Sequence, residues 1–249
     1  MKILYMMMFC LLLSSCKGHN NENAIRFGVD ITSPPYSFME NGVLNGANIE
    51  LSREIGRVLN KEVIFYRTNW DQMFAALNHN KVDAIESSII VTEARKKNAD
   101  FSQPYRFDYI AVIFRKDSKV ENKSDLENTK IAITLGDTSE IFAKNNLKNV
   151  KIVPTESNAI SMELLKAKHV DSVITELPSA KLIVDNSLCC EYKIIDEMKD
   201  GCVIAVKKNS PILFEIKRAL DILIKDGTIK RLERKWLGEL DLSKERMLG

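Results

Sequence analysis

The pattern of apolar and polar residues predicts short strands that alternate with helices. Residues 25–30 (IRFGVD), 61–68 (KEVIFYRT) and 81–89 (KVDAIESSI) are apolar-rich runs of strand length. Between them, residues 48–60 (NIELSREIGRVLN) and 70–80 (WDQMFAALNHN) have the apolar spacing of helices. Strands that alternate with helices build parallel α/β sheets. The first part of the chain is therefore predicted to be α/β.

A short internal sequence repeat, which we call the echo, suggests a second unit with the same arrangement of helices and strands. LNHNKVDAI at residues 77–85 is matched by LKAKHVDSV at residues 165–173, with Leu, Val and Asp in step. Each segment leads from a helix end into a strand, and we expect Asp83 and Asp171 to fix the turn between them. KIAITLGDTSEIF at residues 130–142 then predicts the second unit's own strand, loop and helix.

Two helices are predicted near the C-terminus. Ser210 and Pro211 are typical of a helix start, and Gly227 is typical of its end. The apolar stripe of this helix consists of Ile212, Ile216, Ala219, Leu220 and Leu223. A second helix begins at Thr228 and has Leu232 and Trp236 as apolar anchors. We assign these residues a structural role only.

The bulk composition is that of an ordinary globular protein. The chain has 249 residues, of which 45% are hydrophobic and 28% charged, enough for one large domain or two small lobes. With 36 basic and 34 acidic residues the formal net charge is +2, too near balance to indicate nucleic acid or an acidic polymer as a partner.

The N-terminus predicts export and lipidation. An apolar run at residues 3–13 follows one lysine, which suits a signal peptide and is shorter than the about 18 residues that a membrane-spanning helix needs. LSSC at residues 13–16 resembles the bacterial lipobox, in which the cysteine is acylated and becomes the mature N-terminus. We expect a lipoprotein signal peptide at 1–15, a tether at 16–24, and lipid attachment through Cys16 to a membrane, on the periplasmic or cell-surface side. The alternative is an ordinary signal peptide with an incidental cysteine.

The remaining cysteines and histidines indicate neither metal nor catalytic chemistry. Export implies an oxidising compartment, so one disulfide between Cys202 and either Cys189 or Cys190 is expected. Adjacent cysteines without a partner pair are weak evidence for zinc. The three histidines pair with no nucleophile and form no ligand cluster in the sequence. We expect no metal and no cofactor.

One arginine raises a question about charge. Arg95 follows the hydroxyl-rich strand end SSIIVT in the first turn of a predicted helix, where a cation opposes the helix dipole. A second loop, at residues 136–139, also leads into a helix, and helix amino ends bind anions. Glu176 ends the echoed strand, at the edge where ligands of α/β sheets bind. Arg95 holding a carboxylate and Glu176 holding an ammonium would suit a zwitterion.

Residues 25–237 resemble the family 3 solute-binding proteins, the polar amino-acid receptors of bacterial ABC importers. The motifs that carry the resemblance, in the family's order and spacing, are FGVDITSPPYSF, NWDQMFAAL, KVDAIESSIIVTEAR, DFSQPY, LGDTSE, VDSVITELP and LIKDGTIKRLERKW. The resemblance implies a two-lobed periplasmic-binding-protein type II fold, each lobe a mixed sheet flanked by helices, with a two-stranded hinge. Lobe 1 is then expected at 25–108 and 202–249, and lobe 2 at 109–201.

The resemblance also implies which residues contact the ligand. Arg95 matches the arginine that clamps the carboxylate, and Thr138 matches the lobe 2 contact to the same carboxylate. Glu176 lies where the family usually has an aspartate for the α-ammonium. The remaining implied contacts serve the rest of the ligand: hydroxyl or carbonyl contacts from Ser87 and Ser88, an aromatic cover from Trp70, and a contact to the side-chain end from Asp30.

The sequence departs from the family pattern at three places. Ile90 replaces a usual Ser or Thr, so only its backbone N–H is left for the ligand. Ser33 replaces an aromatic residue around the ligand's side chain, and Ala47 and Asn48 replace a common Phe-Asp pair. The first two of these departures are expected to touch the pocket and to change its shape.

Structural roles compete with the ligand roles. Arg95, followed by two lysines, would also suit a solvated helix face. Trp70 would suit a core anchor, Glu176 an ordinary turn acid, and Asp30 a turn cap.

The expected function is that of a monomeric solute-binding lipoprotein without catalytic residues. It would capture an amino acid of the arginine, lysine or glutamine class and deliver it to the permease of an ABC importer. One alternative is a dehydratase-type enzyme on the same scaffold, for which Glu176 is the one obvious acid or base. Another is an extracytoplasmic sensor that acts through a separate partner.

Overall fold

The computed structural model describes residues 23–239 and 247–248. The strands are β1 (Ala24–Val29), β2 (Thr32–Ser33), β3 (Ser37–Glu40), β4 (Val43–Asn45), β5 (Glu62–Arg67), β6 (Ala84–Ile89), β7 (Ala99–Phe101), β8 (Tyr109–Arg115), β9 (Lys130–Thr134), β10 (Lys151–Thr155), β11 (Ser172–Glu176), β12 (Cys190–Glu197) and β13 (Val203–Lys207). The helices are α1 (Ala47–Leu59), α2 (Met73–Asn78), α3 (Glu93–Lys96), α4 (Thr138–Asn146), α5 (Asn158–Lys166), α6 (Leu177–Asp185), α7 (Ile212–Lys225) and α8 (Thr228–Leu237), with 3₁₀ turns at Trp70–Gln72 and Lys123–Leu126.

Two five-stranded sheets share one plan. Their strand orders are β5-β1-β6-β13-β7 and β10-β9-β11-β8-β12. In each sheet the first three strands are parallel, and the last two are antiparallel to their neighbours. Because each sheet contains both parallel and antiparallel pairs, both sheets are mixed. Strands β2, β3 and β4 form a separate small sheet, which the sequence pattern did not predict.

The sequence echo corresponds to a repeated turn. Asp83 donates its N–H to the Arg26 carbonyl at 2.8 Å, and its carboxylate accepts the Arg26 N–H at 2.8 Å. Asp171 makes the same two bonds to Lys130, again at 2.8 Å each. Each aspartate therefore ties the turn before a strand to the start of the neighbouring strand. The predicted turn-fixing role of both residues is confirmed.

Apolar helix faces cover the sheets. Helix α7 buries Ile216, Ala219, Leu220 and Leu223, while Ile212 of the predicted stripe is partly buried. These positions recur at three- and four-residue steps and therefore lie on one helical face. The helix packs on α1 and α8, which fixes the C-terminal helices against the first sheet.

Two neighbouring segments carry the chain between the sheets. The Cys202 N–H donates to the Arg106 carbonyl at 2.6 Å, and the Met198 N–H donates to the Asp108 carbonyl at 2.8 Å. Beyond α8, Met247 pairs in parallel with Ile194 of β12. These last described residues therefore contact the second sheet.

The expected disulfide to Cys202 is absent from the structure. Cys189, Cys190 and Cys202 are free thiols. Strand β12 begins at Cys190 and ends at Glu197, and an extended strand rises about 3.3 Å per residue. Cys190 therefore lies at the far end of the strand from the crossing segment that contains Cys202.

The predicted N-terminal segments largely precede the described residues. The signal peptide at 1–15, the lipid attachment at Cys16 and most of the tether at 16–24 lie outside them. Within residues 23–239 and 247–248, no helix combines the length and the apolar character that crossing a membrane requires.

Candidate ligand-binding site

A cavity lies between the two sheets, and we call it the inner cavity. It has about 40 Å³ of space, and strand ends and loops of both lobes line it. The first lobe contributes Asp30, Thr32, Ser33, Tyr36, Ser37, Asn48, Trp70, Ser87 and Ser88. The second contributes Thr134, Asp137, Thr138, Ser157, Asn158, Glu176 and Ser179. Most of these residues follow or end parallel strands, which is where α/β sheets bind ligands.

A larger outer cavity of about 380 Å³ adjoins the inner one, and the two share Asp30, Thr32, Trp70, Thr134 and Ser157. Its lining adds two acids, Asp71 and Glu156. Among the described residues, neither lining includes a lysine, arginine or histidine. The cleft formed by both cavities is therefore acidic, although the chain as a whole is slightly basic.

Arg95 links the two lobes beside the inner cavity. Its Nη1 donates to the Ile90 carbonyl at 2.9 Å, and its Nη2 donates to the Gly136 carbonyl of the other lobe at 3.0 Å. The guanidinium lies 5.4 Å from the Trp70 ring centroid and 5.5 Å from that of Phe74. Burial lowers the pKa of Arg95 to about 10, and Asp137 opposes this shift. Arg95 therefore stays charged near neutral pH and is close to Asp137.

Asp137 and Glu176 are two buried carboxyl groups whose ionised forms are disfavoured. Burial raises the pKa of Asp137 well above its usual range, and the Glu176 carboxylate raises it further. Burial also raises the pKa of Glu176, which accepts a hydrogen bond from the Thr175 hydroxyl at 3.2 Å. A cation placed between these two groups would favour their ionised forms.

Two backbone N–H groups at the start of α4 already donate to carboxylates of the chain itself. Asp137 is the helix N-cap and accepts the Glu140 N–H at 3.1 Å. The Glu140 carboxylate reaches back to the Gly136 N–H at 2.6 Å, one residue before the cap. The predicted anion-binding loop is thus partly filled by the chain's own carboxylates. Thr138, buried at the first turn of the helix, lines the inner cavity.

The serines of the predicted site are held in a polar network. Ser88 has the left-handed backbone conformation (φ +52°), and its hydroxyl accepts from Arg106 Nη2 at 2.8 Å and from Asn48 Nδ2 at 3.3 Å. The Ser87 hydroxyl accepts the Asp30 N–H at 3.4 Å. The Asp30 carboxylate accepts the Thr32 N–H and hydroxyl at 2.9 and 2.8 Å, so Asp30 both caps a turn and lines the cavity.

Six predicted site residues line the inner cavity, and two do not. The lining residues are Asp30, Trp70, Ser87, Ser88, Thr138 and Glu176. Arg95 lies beside the cavity, behind Trp70, and Ile90 contributes the carbonyl that Arg95 contacts. Of the departures from the family pattern, Ser33 and Asn48 line the cavity while Ile90 does not. Asn48, which was not expected to touch the pocket, thus does.

Sequence reasoning missed several polar residues of the cavity, among them Asp137, Ser37 and Asn158. Asp137 and Glu140 have capping-box spacing, so a helix cap alone would account for Asp137 in the sequence. Ser37 is fully buried and its Oγ has no hydrogen-bond partner. The Oδ1 of Asn158 is also buried without a partner, while its Nδ2 donates to Thr175 at 2.9 Å. A signal for Asn158 was available, because it follows the parallel strand β10 at the ligand-binding edge.

No metal site is built from the described residues, since they contain no cluster of three or more His, Cys, Asp or Glu side chains that could hold an ion. The side chains that line the inner cavity offer hydroxyl, amide and carboxyl groups, and the Arg95 guanidinium lies beside it.

Comparison with known proteins identifies the class of this chain. The family described as "Bacterial extracellular solute-binding proteins, family 3" matches residues 25–239. This chain is a family 3 solute-binding protein. The family resemblance predicted from the sequence motifs is confirmed, and an extracellular solute-binding protein is by definition exported.

Individual relatives of this family 3 protein agree in length and fold. The L-cystine-binding protein TcyJ of Escherichia coli (strain K12) is 25% identical over 217 residues, which cover 85% of this chain and 81% of TcyJ. The structure of an ancestral arginine-binding protein bound to arginine has 33% identity and a TM-score of 0.78, and the match covers 86% of this chain and 98% of that one. The ancestral amino acid-binding protein AncCDT-1, a precursor of cyclohexadienyl dehydratase, has 29% identity and a TM-score of 0.77, with 87% and 96% covered. The predicted two-lobed type II fold is confirmed.

Proposed function

We propose that this protein captures a polar amino acid between its lobes and delivers it to an ABC importer. Arg95 binds the ligand's carboxylate and Glu176 binds its ammonium. The observation that carries the proposal is the inner cavity, where acids from the second lobe face hydroxyls and an aromatic ring from the first. The names of relatives that bind cystine and arginine support an amino acid as the solute.

The charges of the cleft favour a ligand with a cationic side chain. Asp30, Asp137 and Glu176 line the inner cavity, and two cations lie near them. Arg95 lies beside the cavity, while Arg106, which contacts Ser88, is already paired with Asp108. A zwitterion adds no net charge, so it would leave the ionised forms of Asp137 and Glu176 disfavoured. Arginine or lysine would supply the missing positive charge, and the Trp70 ring could stack on it. Of the three expected ligands, we therefore favour arginine and lysine over glutamine.

A thermal-shift screen tests both parts of this proposal. The mature protein, refolded to remove any carried-over ligand, is screened against all amino acids and against citrulline, which replaces the guanidinium of arginine by a neutral group of similar shape. A ligand at 100 times its Kd adds about 2.7 kcal/mol to the free energy of unfolding. We expect arginine or lysine to shift the midpoint most. Citrulline shifting it as much as arginine would refute the charge preference, whereas no response to any amino acid would refute the proposed function.

Arg95→Ala tests the assignment of the carboxylate. Removing the guanidinium leaves the ligand's carboxylate without a charge partner, so we expect binding to weaken by about 2–5 kcal/mol in calorimetry. Arg67→Ala, which removes an exposed arginine of β5, is the matched control and should bind like the wild type. Equal affinity of both variants would contradict the role of Arg95.

The same proposal holds that the protein does not turn its ligand over. Matched proteins include both binding proteins and AncCDT-1, a precursor of a dehydratase. Because a binding protein does not convert its ligand, we expect incubation with prephenate-like cyclic acids to yield no product. Product formation that Glu176→Gln abolishes would favour the dehydratase alternative.

Lipid anchoring, the lobe boundaries and the monomeric state are further parts of the proposal. We propose cleavage after residue 15, acylation of Cys16, lobe 1 at 25–108 and 202–239, and lobe 2 at 109–201. Residues 247–248, expected in lobe 1, we assign to lobe 2, because Met247 pairs with Ile194 of β12. Intact-mass measurement of protein extracted from membranes should show acyl chains on Cys16. An unmodified Cys16 would contradict the anchor and leave the binding function untouched.

A further inference from the structure

Two cysteines outside the ligand site lie unusually close together. Cys189 ends the connection from helix α6, Cys190 is the first residue of strand β12, and their sulfurs are 3.3 Å apart. Successive side chains of a strand point to opposite faces. Cys189 lies in a bend just before the strand, which is why its sulfur can adjoin that of Cys190.

The two thiols differ in access and in acidity. Cys189 is exposed, whereas Cys190 is fully buried. Contacts with the Ser187 hydroxyl, at 3.4 Å, and with Cys190 lower the pKa of Cys189. Burial raises the pKa of Cys190. Cys189 therefore ionises to the thiolate more readily than Cys190. The Cys190 sulfur lies close enough to react with the Cys189 sulfur.

We propose that Cys189 and Cys190 are a redox modification site, which closes to a reversible disulfide by exchange with a low-molecular-weight disulfide of the exported compartment. Extracellular family membership places the chain in an environment where thiols can be oxidised. The inference does not depend on which solute the cleft binds.

The exchange has two balanced steps, written for oxidised glutathione. The Cys189 thiolate attacks one sulfur of the reagent, forms a mixed disulfide and releases one glutathione thiolate. That thiolate takes the proton of the Cys190 thiol, and the Cys190 sulfur attacks the Cys189 sulfur. The second glutathione leaves as a thiolate and is protonated by solvent. Two protein thiols are oxidised and one reagent disulfide is reduced.

The bond should be labile. Consecutive Cα atoms are about 3.8 Å apart, less than the about 4.4–6.8 Å that disulfides usually span. Such a bond is strained and more easily reduced, which is typical of regulatory or reactive disulfides. Mild thiols should therefore reopen it.

Cys202 provides an internal reference. It is fully buried at the crossing between the lobes, and burial raises its pKa to about 12. We expect it to remain a thiol throughout, so any oxidation should map to Cys189 and Cys190.

The test exposes reduced mature protein to oxidised glutathione, blocks remaining thiols by alkylation, and measures intact mass and peptide maps. The wild type should lose two hydrogens without retaining glutathione, and reduced glutathione should reverse the change. Cys190→Ser should retain one glutathione on Cys189, because no neighbouring thiol displaces it. Cys189→Ser should remain unmodified, because Cys190 is buried.

Four results would overturn the proposal: an unchanged wild-type mass, a stable glutathione adduct on wild-type Cys189, a bond that includes Cys202, or oxidation of Cys189→Ser at the wild-type rate. The wild-type mass decides the matter even where a variant fails to fold. Loss of amino-acid binding in the same samples would be a separate observation, since the readout here is covalent.

Discussion

At the scale of single residues, buried charge is concentrated near the crossing between the lobes. Arg106 and Asp108, both about 5% exposed, form an ion pair, and the Tyr36 hydroxyl donates to Asp108 at 2.6 Å. Arg106 also donates to Ser88 of the inner cavity. Glu86 is fully buried nearby and accepts from the Tyr105 hydroxyl at 2.7 Å. Polar residues that line the ligand site are thus connected to the hinge.

Glu86 should make stability fall as pH rises. Burial raises its pKa from 4.5 to about 8, although Tyr105 and Arg106 act against the shift. Between these pH values the folded protein holds a proton that the unfolded chain has lost, so the free energy of unfolding should decrease by up to about 1.4 kcal/mol per pH unit. The contribution is fully present below the unfolded pKa and is lost as pH rises through the folded one.

Glu86→Gln removes this ionisation and should flatten the stability profile over that range, as measured by urea unfolding at a series of pH values. Glu62→Gln, at an exposed position of β5, is the matched control and should keep the wild-type slope. A wild-type slope in Glu86→Gln would show that other groups cause the pH dependence.

The role of a residue could be predicted from the sequence where its type has few alternative uses at that position. Arg95 stood out because a cation in a first helical turn needs an explanation. Asp137 did not, because aspartate before a helix is a common cap and a single sequence does not separate a cap from a ligand contact. Ile90 was misplaced for a related reason: the path of its backbone, which presents a carbonyl to Arg95, has no signature in the sequence.

At the scale of elements, the alternation of strands and helices and the echo could be recognised in the sequence. The small sheet of β2, β3 and β4 could not. The Leu, Val and Asp pattern recurs because both lobes need the same turn before the third parallel strand. Strands β2 and β4 have two and three residues, which is too short for a period to appear. The predicted helix at 70–80 begins as a 3₁₀ turn at Trp70 and becomes α-helical only at Met73.

Helix α4 allows capping and charge to be separated at Asp137. Asp137→Asn keeps a good N-cap and removes the charge, whereas Asp137→Ala removes both. We expect Asp137→Ala to lose about 0.5–2 kcal/mol of unfolding free energy and Asp137→Asn to lose less. Both should reduce the preference for arginine over citrulline in calorimetry. An unchanged preference in Asp137→Asn would mean that this carboxylate does not select the ligand.

At the scale of the whole molecule, a few contacts hold the lobes together across the cleft. Besides Arg95, the Ser179 hydroxyl donates to the Pro34 carbonyl at 3.1 Å. Gly136 lies against Trp70 of the other lobe, and a Cβ added there would be 3.2 Å from the indole nitrogen. The motif series predicted the two-lobed arrangement, but contacts of this kind depend on how two distant loops meet, which local sequence does not encode.

Gly136→Ala tests whether this close approach matters for ligand capture. Gly136 and Gly42 have nearly the same positive φ, +80° and +79°, but a Cβ at Gly42 would meet nothing within 4 Å. Each alanine variant should lose about 1–2 kcal/mol of unfolding free energy through backbone strain. Only Gly136→Ala should also weaken ligand binding, by about tenfold, because Trp70 must move for the lobes to close. Equal affinities of the two variants in calorimetry would contradict this.

The position of the described chain ends has a practical consequence. Ala24 begins a strand of the first sheet, while the Leu248 N–H donates to the Ile194 carbonyl of the second at 2.8 Å. A donor dye near residue 23 and an acceptor dye near residue 248 would therefore be attached to different lobes. Energy transfer between such dyes would follow opening and closing in real time, with every pocket side chain left native.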